Sequence, residues 1–189
     1  MSFVQIGQWQ AFDASGHRKY LSAEERTRFL AMADRLPADR RALCYLLAYS
    51  GCRISEALAI GAHSIDSARG TVTFRTLKRR RPTFRTVPVP KSVAEMLLAQ
   101  SRASGEKLWS IHRVTAWRTV ISTMEAASVR GPMRCCKGLR HGYGVQAVGN
   151  GVPLTLLQKW LGHASLATTA IYLDVVGEEE RAFAERMWR

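Results

Sequence analysis

The chain has 189 residues, of which 47% are hydrophobic, and its 28 lysine and arginine residues outnumber its 15 acidic residues to give a net charge of +13. This length suits one globular domain with a sizeable core, and no apolar run approaches the ~20 residues of a membrane-spanning helix. The N-terminus lacks the charged start and apolar stretch of a secretory signal, so we expect a cytoplasmic protein. The excess positive charge favours a polyanionic partner, above all nucleic acid, over a merely solvated basic surface.

Residues 1–20 are predicted to form an arm whose aromatic side chains dock on the body of the protein. Ser22-Ala-Glu-Glu25 has the form of a capping box and predicts a helix that runs through about Leu36, where Pro37 stops it.

The next helix is expected to lie at the centre of the core. Asp39 can cap it, its residues are apolar nearly all round, and Gly51 is expected to end it. A short third helix is predicted to begin at Arg53.

Residues 64–90 change to a strand pattern. The segments Thr71–Phe74 and Thr86–Val89 are rich in β-branched residues and predict a small antiparallel sheet. A basic run places the hairpin tip near 78–82. Pro88 and Pro90 are typical of an edge strand or of the exit from a sheet.

Helical periodicity returns after residue 90. Helices are predicted over about 93–98, 112–128, 139–148 and 154–161, and Ser165 can cap a further helix that carries Tyr172. The helix at 112–128 is expected to bury one apolar face: Val114, Trp117, Val120, Ile121 and Met124.

The segment 178–189 is predicted to be a charged amphipathic helix with Phe183, Met187 and Trp188 on its apolar face. The expected fold class is mainly α with a small antiparallel β-sheet.

Cysteine and histidine spacing argues against a bound cofactor. The four cysteines form no C-x-x-C pair, so we expect reduced thiols and neither a disulfide scaffold nor a zinc site. The histidines form no spaced ligand pair with nearby cysteines or carboxylates. A phosphate-binding loop of the G-x-x-x-x-G-K type is also absent, so no metal or nucleotide cofactor is expected.

Three clusters carry the candidate chemistry. They are Gly51-Cys-Arg53-Ile-Ser-Glu56-Ala-Leu58, Lys137-Gly-Leu-Arg140-His141, and Leu161-Gly-His163-Ala-Ser165 with Tyr172 nine residues after the histidine. Singly, each allows a structural interpretation: Arg53 could pair with Glu56 on the surface, and Tyr172 could be a core aromatic. Together, in this order, they resemble the catalytic domain of the tyrosine recombinases, or phage integrase family, over about residues 20–175.

The resemblance implies a mainly helical catalytic domain that breaks and rejoins DNA through a covalent link from tyrosine to a 3′-phosphate. Tyr172 would be the nucleophile, and neighbouring cations must help it because a phenol with pKa ~10 attacks poorly. Arg53 and Arg140 would clamp the scissile phosphate, and His163 would donate a further hydrogen bond to it.

The family also places a lysine on the hairpin, and Lys78 matches it as the general acid that protonates the leaving 5′-oxygen. The arginines of the same hairpin, Arg79, Arg80, Arg81 and Arg85, are expected to contact DNA phosphates without reading sequence. His141 is expected to line the active site close to the DNA.

Lys137 departs from the family pattern, since most recombinases have a histidine three residues before the second arginine. A lysine there is similar to the related type IB topoisomerases. It keeps a hydrogen-bond donor, but it cannot act as a neutral base near pH 7 unless its pKa is strongly depressed. We include Lys137 among the catalytic residues.

The resemblance also implies an organisation and a set of partners. We expect an arm at 1–20, a catalytic domain at 21–177 and a C-terminal helix at 178–189 that packs in cis or on a neighbouring protomer, a plan similar to the short recombinases of fimbrial phase switches. The expected partner is double-stranded DNA, on which the protein assembles to a tetramer. Tight and specific binding would need either cooperation between protomers or an accessory DNA-binding protein. Alternatives are DNA relaxation of the type IB topoisomerase kind and a catalytically weak DNA-binding accessory role.

Overall fold

The computed structural model describes residues 12–76, 83–101 and 107–173, together with residues 181, 184, 185, 187 and 188. Its helices are α1 (Ala23–Ala33), α2 (Ala38–Ser50), α3 (Ile54–Ala57), α4 (Lys91–Leu98), α5 (Arg113–Ala126), α6 (Cys136–Gly149), α7 (Leu154–Leu161) and α8 (Ala167–Ala170). Its strands are β1 (Ile65–Asp66), β2 (Thr71–Thr76) and β3 (Thr83–Pro88), and a 3₁₀ turn (Ala62–Ser64) precedes β1. The predicted fold class is confirmed. Among the described residues, no helix is long and apolar enough to cross a membrane.

The capping box at the start of α1 is confirmed. The amide of Glu25 donates to Ser22 Oγ at 3.2 Å, and the amide of Ser22 donates to Glu25 Oε2 at 3.0 Å. Arg18 adds two hydrogen bonds to the same carboxylate, at 2.9 and 2.7 Å, and so ties the segment before α1 to the helix. Phe12 packs edge-on against Tyr20, a contact within the predicted arm. Residues 1–11 lie outside the described part, and docking of the arm on the body stays a prediction.

Helix α2 is the central element, as its apolar sequence predicts. It packs against α1, α4, α5 and α6, and Ala42, Leu43 and Leu46 are fully buried. The predicted cap was wrong: Pro37 is the N-cap residue and Asp39 lies in the first turn, where its charge complements the helix dipole. Gly51 ends the helix with a φ of 59°, in the left-handed region that glycine tolerates best.

The three strands form one antiparallel sheet in the order β1-β2-β3. The two-residue β1 was missed because it is too short to show a period. In the main hairpin Phe74 pairs with Arg85 and Val72 with Val87, and all four side chains are buried. The predicted hairpin tip at 78–82 lies outside the described residues.

Helix α5 buries only part of the predicted apolar face. Val120 and Met124 are fully buried, but Val114 and Trp117 remain 47% and 46% exposed. The buried face instead includes Thr119 and Thr123. Their hydroxyls donate to carbonyls four residues earlier at 2.9 and 2.7 Å, so these polar groups are satisfied inside the core.

A second, smaller cluster packs α6 against α7 and the segment after α8. It includes Tyr20, Val145, Leu157, Leu161 and Tyr172. The helix predicted to carry Tyr172 is short: α8 ends at Ala170, and the tyrosine follows it in a turn.

The predicted helix at 178–189 is described at only a few positions. Those at 181, 184, 185 and 187 are helical, and Met187 and Trp188 are 81% and 69% exposed. Phe183 lies outside the described residues.

Candidate active site

Arg140 joins the ends of two helices beneath the site. Its Nη1 donates to the carbonyl of Gly51 at 2.7 Å, and its Nη2 donates to the carbonyl of Leu161 at 2.6 Å. Those carbonyls lie at the C-termini of α2 and α7, where the helix dipoles favour a cation. Burial lowers the pKa of Arg140 to about 10, and the nearby Arg53 acts in the same direction. The guanidinium therefore stays charged at neutral pH.

Arg53 is the N-cap residue of α3, and Glu56 orients it. Nη1 of Arg53 donates to Glu56 Oε1 at 3.0 Å, and its backbone amide donates to Oε2 at 2.9 Å. The arginine side chain is 31% exposed, whereas that of Glu56 is 1% exposed. Arg53 can therefore reach a ligand while its base stays anchored.

Arg85 does not take the DNA-facing position expected from the sequence. Its side chain is 4% exposed and pairs with Glu56 at 2.6 Å. The alternation of β3 turns residue 85 toward the core, the same side as Val87. The DNA contact predicted for Arg85 is therefore corrected to a buried ion pair.

His163 follows the left-handed Gly162 that ends α7. Its Nδ1 lies 2.9 Å from Thr169 Oγ1, and Thr169 is fully buried. Burial lowers the pKa of His163 to about 3, and the charges of Arg140 and Arg53 act in the same direction. The imidazole is thus neutral at pH 7 and carries one N–H. If Nδ1 accepts from the threonine hydroxyl, the proton is on Nε2; if Nδ1 donates to the hydroxyl, the proton is on Nδ1.

Tyr172 lies inside this group with 1% exposure. Its hydroxyl is 3.0 Å from His141 Nδ1, and its ring stacks on that of His163 with centroids 6.4 Å apart. Gly144 on α6 makes room for the ring, because a Cβ there would lie 2.5 Å from Tyr172 Cζ. Burial raises the pKa of Tyr172 to about 12, although the charges of Arg140 and Arg53 oppose the rise.

The structure brings four of the predicted catalytic residues together: Arg53, Arg140, His163 and Tyr172. Lys137 is exposed at the start of α6. The pKa of His141 is lowered mainly by burial and, to a smaller extent, by the charge of Lys137. His141 is only 7% exposed, and its Nδ1 lies 3.0 Å from the Tyr172 hydroxyl. It therefore lies in the buried wall of the candidate site, as the resemblance implies, but its burial does not fit the place beside DNA that was also expected for it.

The hairpin residues Lys78, Arg79, Arg80 and Arg81 lie outside the described part of the chain. Their predicted contacts with DNA stay predictions.

Three residues that position the site were missed: Glu56, Gly144 and Thr169. Glu56 stood in the first motif cluster, but sequence reasoning treated it only as a surface partner of Arg53. Gly144 has no local signal, because its role arises from the contact between α6 and Tyr172. Thr169 is only six residues from His163, but nothing in the sequence shows that its hydroxyl turns toward that imidazole. Among the described residues, no group of three histidine, cysteine, aspartate or glutamate side chains is placed to hold a metal ion.

Comparison with known proteins agrees with this geometry. The model of the phage integrase family matches residues 19–179, so the chain belongs to that family. The tyrosine recombinase XerA of Thermococcus kodakarensis is 27% identical over 177 residues, which cover 89% of this chain and 62% of that protein. The chain therefore spans about three fifths of the length of this relative.

Two solved structures share the fold. The crystal structure of XerA recombinase superposes with a TM-score of 0.77 at 22% identity and covers 90% of this chain and 65% of that one. The XerH site-specific recombinase bound to its difH substrate in a pre-cleavage complex superposes with a TM-score of 0.72 at 21% identity. The match covers 94% of this chain and 60% of the XerH chain.

Proposed function

We propose that this protein is a site-specific DNA recombinase that cleaves and rejoins double-stranded DNA through a 3′-phosphotyrosyl intermediate. One observation carries the proposal: the buried Tyr172 stacks on His163, and Arg140 ties the helix end before His163 to Gly51, two residues before Arg53. A core tyrosine alone would not require two cations and a neutral imidazole beside it. Their charge and donors fit a phosphodiester.

In the proposed reaction the phenolate oxygen of Tyr172 attacks phosphorus, and the bond from phosphorus to the 5′-oxygen breaks. Arg53 and Arg140 bind the non-bridging oxygens, and His163 donates one hydrogen bond. Lys78 gives its proton to the leaving 5′-oxygen. Rejoining reverses each step: the 5′-hydroxyl attacks phosphorus, Lys78 recovers the proton, and the phenolate of Tyr172 leaves. The phosphoester energy is conserved, so no nucleotide is consumed.

The free protein holds its nucleophile in an unreactive state. With a pKa near 12 the phenol is protonated at pH 7. His141 is close enough to accept the proton, but burial lowers its pKa to about 3, so it is a weak base. Attack therefore requires the surroundings of Tyr172 to change when DNA binds.

The proposed partner is double-stranded DNA, supported by the net charge of +13 and by the substrate-bound XerH structure that shares this fold. We further propose that the working form is a tetramer on DNA, assisted by an accessory DNA-binding protein. The exposed Met187 and Trp188 suit the helix at 178–189 for contact with a neighbouring protomer. In this organisation 1–20 is the arm and 21–177 the catalytic domain.

The test is a trapping assay. Nicked duplexes from the DNA flanking the gene are incubated with protein, so that cleavage releases a short fragment and cannot reverse. A denaturant-stable protein–DNA adduct is expected for the wild type and not for Tyr172→Phe. If the wild type binds this DNA in a salt-sensitive way but never forms an adduct, the accessory binding role is favoured and the proposal is wrong.

The exposed Lys137 supports a second candidate, relaxation of supercoiled DNA as in type IB topoisomerases. The same adduct would form, so a different readout is needed. This candidate is favoured if the monomeric protein relaxes a supercoiled plasmid and needs no defined target site to do so. Strand exchange between two defined sites favours recombination.

A further inference from the structure

A buried ion pair joins the sheet to two of the three motif clusters. Arg85 on β3 donates to the two carboxylate oxygens of Glu56 at 2.6 and 3.2 Å, and the two side chains are 4% and 1% exposed. Its Nε donates to the carbonyl of Trp160 at 2.8 Å. Its guanidinium also lies 5.1 Å from the centroid of the Phe74 ring. Arg85 is thus fixed on three sides without contact with solvent.

On its other side, Glu56 holds the phosphate-clamping Arg53. Burial alone would raise the pKa of this carboxyl, but hydrogen bonds and charge from Arg85, followed by those from Arg53, hold the pKa below its usual value. One carboxylate therefore serves two arginines. If Arg85 were absent, Glu56 would lose the partner that fixes its carboxylate and could no longer hold Arg53 in one position.

Arg85 also sets the end of α7, from which His163 follows. The consecutive carbonyls of Trp160 and Leu161 accept from Arg85 and Arg140, respectively. Gly162 lies so close that a Cβ there would be 3.1 Å from Arg85 Cδ and Nε. The backbone that presents His163 is therefore packed directly on this side chain.

We propose that Arg85 is a positioning residue for DNA cleavage: it holds Arg53 and His163 in register with each other and does not touch DNA. This inference rests on the proposed function. It predicts a loss in the rate of the chemical step and no loss in DNA affinity. A misplacement of about 1 Å at a reacting group can lower a rate about 10²-fold.

The experiment compares Arg85→Met and Arg85→Lys with the matched controls Arg69→Met and Arg69→Lys. Arg69 is an exposed arginine beside the same sheet, paired with Asp66, and its loss changes the charge equally. Single-turnover adduct formation is measured at saturating DNA, below the unfolding temperature of every variant. DNA affinity is measured across a range of salt concentrations. The lysine variant keeps the positive charge but cannot make the bidentate contact with Glu56. It replaces the methionine variant in the comparison if Arg85→Met does not fold.

We expect adduct formation to fall about 10²-fold in both Arg85 variants, with wild-type affinity and salt dependence, and to stay within about twofold of wild type in the Arg69 variants. A weakened affinity with a salt slope reduced by about one in Arg85→Met would identify a phosphate contact and overturn the proposal. A wild-type rate in Arg85→Lys would also overturn it.

A readout without DNA separates this inference from the proposed function. The imidazole signals of His163 are recorded by NMR in the free protein. They are expected to shift in Arg85→Lys and not in Arg69→Lys. Unchanged signals would overturn the positioning role. If the wild type forms no adduct on any substrate, the proposed recombinase function fails, and the NMR comparison alone decides whether Arg85 positions this site.

Discussion

The hydroxyl of Tyr172 lies 3.0 Å from Nδ1 of His141. Burial raises the pKa of the tyrosine to about 12 and lowers that of the histidine to about 3, so at neutral pH this contact joins a phenol to a neutral imidazole. The protein therefore keeps its candidate nucleophile protonated and out of solvent.

Replacing Gly144 by alanine should drive the Tyr172 ring from its site. A Cβ would lie 2.5–2.7 Å from three ring carbons, closer than packed atoms approach. Alanine gains up to about 1 kcal/mol in helix propensity, but overpacking costs about 1–3 kcal/mol. We expect a net loss in the free energy of unfolding, measured by urea denaturation, and faster nitration of Tyr172 by tetranitromethane, measured by peptide mass.

Gly149 provides the matched control, since it ends the same helix and a Cβ there would meet nothing within 4 Å. Gly149→Ala should leave nitration unchanged and stability equal or slightly higher. Equal nitration rates in Gly144→Ala and the wild type would show that Gly144 does not hold the ring in place.

The two site histidines should make the protein less stable as the pH falls. In the folded protein the pKa of each is lowered from 6.5 to about 3, first by burial. Below pH 6.5 the unfolded chain binds these protons before the folded one does, so the contribution is complete above 6.5 and is lost progressively toward 3. His141 alone can change the free energy of unfolding by up to about 1.4 kcal/mol per pH unit.

The measurement is urea unfolding at pH 7.5, 6.5 and 5.5, a range above the ordinary pKa values of aspartate and glutamate. His141→Gln should flatten the dependence. His63→Gln, at an exposed position, should keep the wild-type slope. A wild-type slope in His141→Gln would rule out a buried neutral imidazole.

Arg140→Lys should lower both the free energy of unfolding and the rate of adduct formation. The lysine has one ammonium and cannot span the carbonyls of Gly51 and Leu161, which now accept at 2.7 and 2.6 Å. A buried acceptor left without a partner costs about 1–3 kcal/mol. We expect a loss of that size in urea denaturation and no detectable adduct. Arg130→Lys, at an exposed position, should leave both unchanged; a fully stable Arg140→Lys would contradict the bridging role.

The sequence predicts the elements that local chemistry determines. The capping box before α1, the glycine that ends α2 and the joint spacing of Arg53, Arg140, His163 and Tyr172 could all be recognised in it. The Arg85–Glu56 pair could not, because its partners are 29 residues apart and meet only when the sheet packs against α3. The exposed Val114 and Trp117 were misassigned for a related reason: periodicity finds apolar positions, but hydroxyl groups that bond within their own helix can replace them in the core.

Thr169→Val tests whether the hydroxyl of Thr169 orients His163. Valine has nearly the same shape, so the buried site stays filled, but the 2.9 Å contact with Nδ1 is lost. That contact selects which ring nitrogen carries the proton and therefore which one faces the phosphate. A neutral hydrogen bond contributes about 1 kcal/mol, so we expect adduct formation to slow about fivefold. The control is Thr168→Val, at the exposed neighbouring position, which should react at the wild-type rate. Equal rates in the two variants would mean that His163 is oriented by its stacking on Tyr172 and not by the threonine.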